Sequence, residues 1–313
     1  MNGTWTPADI SSLNGKRILI TGANSGIGYH TALVLAQKGA HVIMACRDPR
    51  RAEAALSRLK SVAPGASVEL AALDLASLDS VREFASRERA AQRALHVLVN
   101  NAGVMAPPKR LETADGFEIQ FGTNVIGHFA LTGLLMPLLE EAAASERSRV
   151  VTVASIAHKR GRLDFDDLQS TRRYSPMRSY QQSKLANLMF ALELDRRLRA
   201  RGSRVMSVAV HPGVANTNLF RAGERSALDS AARAVASRLI GALLNSDEAG
   251  ALPTLYAATS PDVVDGGYYG PTGWMEMRGE RVDNAAIAAQ AHDTRAAQRL
   301  WDACESFTGV HFP

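Results

Sequence analysis

The chain has 313 residues, 46% of them hydrophobic and 21% charged, with 24 Gly, 12 Pro and a net charge of +5. It is too apolar to stay disordered and too poor in Gly and Pro to be fibrous. Two cysteines, Cys46 and Cys304, are too few for a disulfide framework or a four-cysteine zinc site, so a reducing, cytoplasmic setting is the default expectation. No apolar run approaches the roughly 18 to 20 residues that cross a bilayer, and Met1–Lys16 lacks the basic start and apolar run of a signal peptide. No transmembrane anchor is therefore expected. Of the 36 basic residues only six are Lys. They are scattered among Asp and Glu without a block of like charge, which reads as a solvated arginine-rich surface and not as a nucleic-acid-binding face. No paired histidine spacing points to a metal.

Short β-branched runs alternate with longer Ala/Leu/Arg segments. Buried strands are predicted at Arg17–Thr21, His41–Ala45, Val68–Leu73, Leu95–Asn100, Arg149–Ala154 and Arg204–Val210, each apolar on both faces. Helices are predicted over about 26–38, 49–62, 77–91, 123–143 and 179–201. The repetition implies right-handed βαβ crossovers, an α/β fold with a doubly wound parallel sheet and helices on both faces. No linker divides the chain, so one domain over 1–313 is expected. The stretch 214–250 breaks the rhythm and sits where a substrate lid would sit. The segment 272–313 is a C-terminal extension, helical near Ala286–Phe307.

The first strand runs into Thr21-Gly22-Ala23-Asn24-Ser25-Gly26-Ile27-Gly28. Glycines permit a tight turn and close approach to a pyrophosphate, and the helix that follows offers free N–H groups and a positive dipole end. Arg47 follows the second strand. An acidic residue there would suit a ribose 2′-hydroxyl, whereas an arginine suits a 2′-phosphate, so NADP(H) is favoured over NAD(H). Asp74 and Leu75, after the third strand, would flank the adenine. Asn101, Ala102 and Gly103, at the end of the fourth, would let backbone approach the cofactor.

Tyr180 and Lys184 share one helix face at i, i+4. An ammonium beside a phenol favours phenolate and lowers its pKa, which makes the pair a proton donor and acceptor for an alcohol or carbonyl. Only Tyr180 among six tyrosines has Lys four residues on. Ser155 follows the fifth strand, so its hydroxyl lies at a strand C-terminal end, where open parallel sheets bind ligands, and could hydrogen-bond a substrate oxygen. Asn124 opens a helix, and its amide could hold a water near Lys184. Caps and turns are the plainer uses of Asn101, Asn124 and Ser155; their joint placement at strand ends points to a site. No G-x-S-x-G elbow is present, which argues against a serine hydrolase. His211 is read as shaping the turn after the sixth strand.

In order along the chain, TGANSGIG (21–28), NNAG (100–103), Asn124, Ser155, Tyr180/Lys184 and Pro212-Gly213 resemble the motifs of the short-chain dehydrogenase/reductase family. ACR (45–47), NAGVM (101–105), SIAH (155–158), SKLAN (183–187) and HPG (211–213) resemble its branch of retinol dehydrogenase-like and WW-domain oxidoreductase-like enzymes. The resemblance implies a Rossmann fold with a seven-stranded parallel sheet. It implies Tyr180 as acid/base, with Lys184 lowering its pKa and holding the nicotinamide ribose. Ser155 would polarise the substrate oxygen and Asn124 complete a proton relay. Gly22, Asn24, Ser25, Gly26 and Ile27 would cradle the phosphates, Gly28 would allow close helix packing, and Arg47 would hold the 2′-phosphate. Val214 and Thr217, after Pro212-Gly213, would contact the nicotinamide amide and nearby phosphate. A homo-oligomer packed through helices near 123–143 and 179–201 is compatible with the family. The function expected is NADP(H)-dependent interconversion of a carbonyl and an alcohol on a mainly apolar small molecule; a non-catalytic NADP(H)-binding scaffold is the alternative.

Overall fold

The computed structural model describes residues 5–213 and 245–313. Strands β1 (Arg17–Thr21), β2 (His41–Cys46), β3 (Val68–Ala72), β4 (Val97–Asn100), β5 (Arg149–Val153), β6 (Met206–Val210), β7 (Tyr268–Pro271) and β8 (Val282–Asn284) form one sheet in the order β3-β2-β1-β4-β5-β6-β7-β8. The first seven run parallel and β8 pairs antiparallel with β7. The sheet thus has one strand more than the family resemblance implies. The extra strand is short and half polar (Val-Asp-Asn), so it has no apolar run to announce it.

Helices α1 (Gly26–Gln37), α2 (Pro49–Val62), α3 (Leu78–Ala90), α4 (Ile119–Ser145), α5 (Pro176–Ala200), α6 (Asp247–Thr259) and α7 (Thr294–Thr308) cover both faces. Side chains alternate across the pleat and feed two cores. Ile18, Ile20, Val42, Met44 and Val99 pack toward Leu35, Leu59 and Leu255 of α1, α2 and α6. Leu19, Ile43, Leu98 and Val150 pack toward Phe84, Phe129, Leu188 and Trp301 of α3, α4, α5 and α7. Both faces of β1, β2, β4, β5, β6 and β7 are largely buried, which is why the central strands read as continuous apolar runs, whereas β3 is only half-buried and β8 is mostly exposed.

Three features bear on the expectations from the sequence. Helix Ile119–Ser145 is long and apolar enough to cross a membrane by length and composition, with a mean hydropathy of 1.3, but 83% of that window is buried in the fold. It is a core helix, interrupted by a π turn at Gly122–Ile126. Part of α4 and α5 is covered from within the chain: Trp301 of α7 packs on Phe129 and Phe190, and Phe312 packs on Phe129. Finally, most of the stretch read as a lid, 214–244, lies outside the described residues. Just after it, Asn245 is buried and Ser246 caps α6 by accepting from the Ala249 N–H.

Candidate active site

The strand order reverses at β1, which has β2 on one side and β4 on the other. Crossovers leave this point in opposite directions and open a crevice at the strand C-terminal ends. Gly22 turns the chain there with φ +66°, and a Cβ on it would lie 3.0 Å from Cα of Ala102. A Cβ on Gly28 would lie 2.5 Å from Nδ2 of Asn101. Both positions therefore demand glycine for close approach between the two strand tips. Asn101 sews those tips together, its Nδ2 donating to the Thr21 carbonyl at 2.8 Å.

Helix α1 begins at this turn without a side-chain cap, although Ser25 occupies the N-cap position. Asp48, Ser77, Ser246 and Asp293 do cap α2, α3, α6 and α7 with their side chains. The open N–H groups of α1, its positive dipole end and the rigid glycine turn fit the pyrophosphate of a dinucleotide. Arg47, at the tip of β2, is exposed and has no hydrogen bond or ion pair among the described residues, so its guanidinium is free to receive an anion. Asp74 and Leu75 follow β3 as expected. The Asp74 carboxylate accepts from the Ala76 N–H at 3.0 Å, and Leu75 is buried against Gly127 of α4.

The titratable groups come from the end of β5 and from α5. The Ser155 side chain, which accepts from the Ala157 N–H at 3.2 Å, is near enough to the Tyr180 hydroxyl to act on its pKa. Tyr180 and Lys184 sit in the first half of α5, 9% and 4% exposed. The Lys184 ammonium lies 5.9 Å from the Tyr180 ring centroid and donates to the Val153 carbonyl at 2.9 Å. Here the electrostatics differ from the expectation that Lys184 lowers the phenol's pKa. Burial raises the Tyr180 pKa above its ordinary value, and the Ser155 side chain opposes that rise. Burial also pushes Lys184 down to about 8. The reason is desolvation: neither partner is in water, and the ammonium is drawn to a carbonyl on β5 and not to the phenol oxygen.

Asn124 is fully buried in the π turn. Its Oδ1 accepts from the Val104 N–H at 2.8 Å, and its Nδ2 donates to the Val104 carbonyl and the Ser183 hydroxyl, both at 3.0 Å. The amide thus fastens the segment after β4 to α5. A Cβ on Gly103 would stand 3.3 Å from Asn124 Oδ1 and 3.7 Å from Lys184 Nζ, so that glycine keeps the space between β4 and the pair open. Gly213 adopts φ +73° against the Met277 carbonyl, and Asn245 Nδ2 holds the Pro212 carbonyl at 3.0 Å. Val214 and Thr217 lie outside the described residues.

Sequence reasoning missed the clasp around Ser155. His158 Nδ1 donates to the Ser155 carbonyl at 2.7 Å, and its Nε2 accepts from the Ala288 N–H at 3.3 Å. Gln290 donates to the carbonyls of His158, Lys159 and Gly161. Glu276 bonds Lys159 at 2.8 Å and faces His211 at 3.4 Å. The facing His211 imidazole is the first cause that draws the Glu276 carboxyl down to about 2, with Lys159 adding to it. His158 and His211 were visible in the SIAH and HPG segments, but their partners come from the C-terminal extension, more than sixty residues away in sequence, and nothing local signals them.

Comparison with known proteins agrees with this architecture. The family model described as short chain dehydrogenase matches residues 16–227. Human retinol dehydrogenase 13 is 40% identical over 307 residues, spanning 97% of this chain and 87% of that protein. Human polyprenol dehydrogenase is 39% identical over 295 residues, spanning 93% and 84%. Among solved structures, an uncharacterised protein from Mycobacterium paratuberculosis superposes with a TM-score of 0.80 at 41% identity, covering 99% of this chain and all 100% of that one. The Pseudomonas aeruginosa RhlG/NADP active-site complex superposes with a TM-score of 0.61 at 25% identity, covering 82% and 94%. With the family model matched over residues 16–227 and relatives about 40% identical along nearly its whole length, the chain belongs to the short-chain dehydrogenase/reductase family, in the retinol dehydrogenase-like branch, and is an oxidoreductase acting on CH–OH groups.

Proposed function

We propose that the protein interconverts an aldehyde or ketone and the corresponding alcohol on a mainly apolar small molecule, with NADP(H) as the dinucleotide and Tyr180 as the proton donor and acceptor. The observation that carries this reading is the gathering of a buried Tyr180 and a buried Lys184, its ammonium 5.9 Å from the phenol ring and anchored on the Val153 carbonyl, at the end of β5 where Ser155 stands. When bound, the dinucleotide supplies or takes the hydride. The chain's own groups manage the oxygen. The Ser155 hydroxyl and the Tyr180 phenol converge on one point, where a carbonyl oxygen would accept from both. Burial keeps the phenol protonated, which suits donation to an oxygen as negative charge develops on it. The relatives named for retinol and polyprenol support an apolar substrate. The exposed Arg47 supports NADP(H), by its charge and planar fork.

The test is NADPH and NADH oxidation against a panel of aldehydes and ketones. Wild-type protein is expected to turn over apolar carbonyls with NADPH. Arg47→Ala should raise the KM for NADPH by roughly tenfold or more, the scale of a charge-assisted phosphate contact, and leave the KM for NADH nearly unchanged. Equal effects on both dinucleotides would remove Arg47 from the 2′-phosphate role. A second expectation concerns pH. With Lys184 pushed down to about 8, its positive charge is present below that value and lost above it. Carbonyl reduction should therefore fall above about pH 8, and Lys184→Met should be slow and lack that limb. A wild-type profile flat to about pH 10 would show that the ammonium's charge plays no part.

A further inference from the structure

His128 lies on α4 one turn beyond Asn124, is 2% exposed, and belongs to none of the groups discussed above. Its two ring nitrogens reach in opposite directions. Nδ1 is 3.0 Å from the main-chain carbonyl oxygen of Asn124, and Nε2 is 2.9 Å from Oγ1 of Thr21. A carbonyl only accepts, so Nδ1 carries the proton. Nε2 must then accept, and the Thr21 hydroxyl donates to it. The other acceptor available to that hydroxyl, the Val99 carbonyl, is farther away at 3.4 Å. The lone pairs of the same Oγ1 take the N–H groups of Asn101 and Ala102, each at 2.9 Å.

The result is a one-way chain of hydrogen bonds. It runs from the backbone after β4, through the threonine that opens the glycine turn, through a neutral imidazole, to the carbonyl of Asn124. Burial keeps the imidazole neutral, pushing its pKa down to about 4. Asn124 itself sits in the π turn, where the helical register is broken. The His128 side chain there adds a donor to a carbonyl within this irregular turn.

We infer that His128 is a positioning residue that locks the dinucleotide-binding turn, through Thr21, to the irregular turn that carries Asn124. The cofactor cradle and the proton-handling groups thereby share one register. The inference rests on the hydride-transfer reading above, but only its Asn124 half needs turnover to be seen. The Thr21 half is read by dinucleotide binding alone.

Three substitutions separate the two ends. His128→Asn places a donor near the position of Nδ1, His128→Gln reaches the position of Nε2, and His128→Leu keeps bulk only. NADPH affinity is measured by fluorescence titration, kcat by steady-state carbonyl reduction, and folding by thermal melts. His128→Leu should weaken NADPH binding and lower kcat, each by roughly tenfold, the scale of one lost buried hydrogen bond. His128→Asn should keep kcat within about threefold while losing dinucleotide affinity, and His128→Gln should do the reverse. A role in stability alone would lower the melting temperature and move both readouts together in all three variants, and that result would overturn the inference. So would variants that match wild type within about twofold in both. If wild type binds NADPH but reduces no carbonyl, the functional reading fails. A Gln-against-Asn difference in NADPH affinity would then still stand for the lock to Thr21, and its absence would sink that as well.

Discussion

Tyr180→Phe is expected to reduce carbonyl turnover by about 10²- to 10⁴-fold, the range of a lost general acid, while NADPH affinity stays within a few-fold of wild type. The substitution is unusually clean here. Tyr180 is 9% exposed, phenylalanine refills the ring's place, and only the hydroxyl is lost. Loss of a single buried hydroxyl and its interactions costs about 1 kcal/mol of stability, too little to unfold the chain. Ser155→Ala should be less severe, because the phenol can still donate a proton to an oxygen that has lost one of its two anchors. Turnover of Tyr180→Phe within tenfold of wild type would remove Tyr180 from the chemistry, whatever Ser155→Ala does.

The groups in that experiment were legible in the sequence because their information is local. A turn that must pass its backbone under a neighbouring strand requires glycine, so Gly22 and Gly28 announce it. A helix that must present two groups side by side requires i, i+4 spacing, so Tyr180 and Lys184 announce that. What could not be read is how much water each group keeps. The pair's spacing suggests an ammonium lowering a phenol's pKa, yet burial raises the phenol and lowers the amine. Desolvation depends on Val153, Asn124 and Gly103, contributed by three other segments. Similarly, β8 and the clasp of Gln290 and Glu276 around the Ser155 turn arise from long-range contacts of short polar segments. Such residues have a plainer local role as surface, and only the folded sheet edge brings them to the site.

Trp301→Ala is the substitution with the largest expected effect on stability. Trp301 is 1% exposed. It stacks on Phe190 at 5.8 Å with an 18° interplanar angle, meets Phe129 at 5.0 Å and Phe312 at 4.7 Å, and carries the Arg197 guanidinium 4.2 Å over its ring. The apolar face of α7 therefore lies across α4 and α5, the two helices whose exposed faces were expected at an oligomer contact. Truncation to alanine leaves a cavity in a site walled by three aromatic rings, and large-to-small changes of this kind cost about 3–5 kcal/mol. A chain of this size should then melt on the order of 10 °C lower. Trp301→Phe, which keeps most of the stacking, should lose much less. With α7 loosened, the apolar faces of α4 and α5 become available to other copies, so Trp301→Ala should also self-associate more than wild type as concentration rises, by light scattering. A melting temperature within about 2 °C of wild type would show that α7 is a peripheral appendage and not the cover of these helices. A lower melting temperature without added self-association would keep α7 as part of the core but deny it any part in keeping copies of the chain apart.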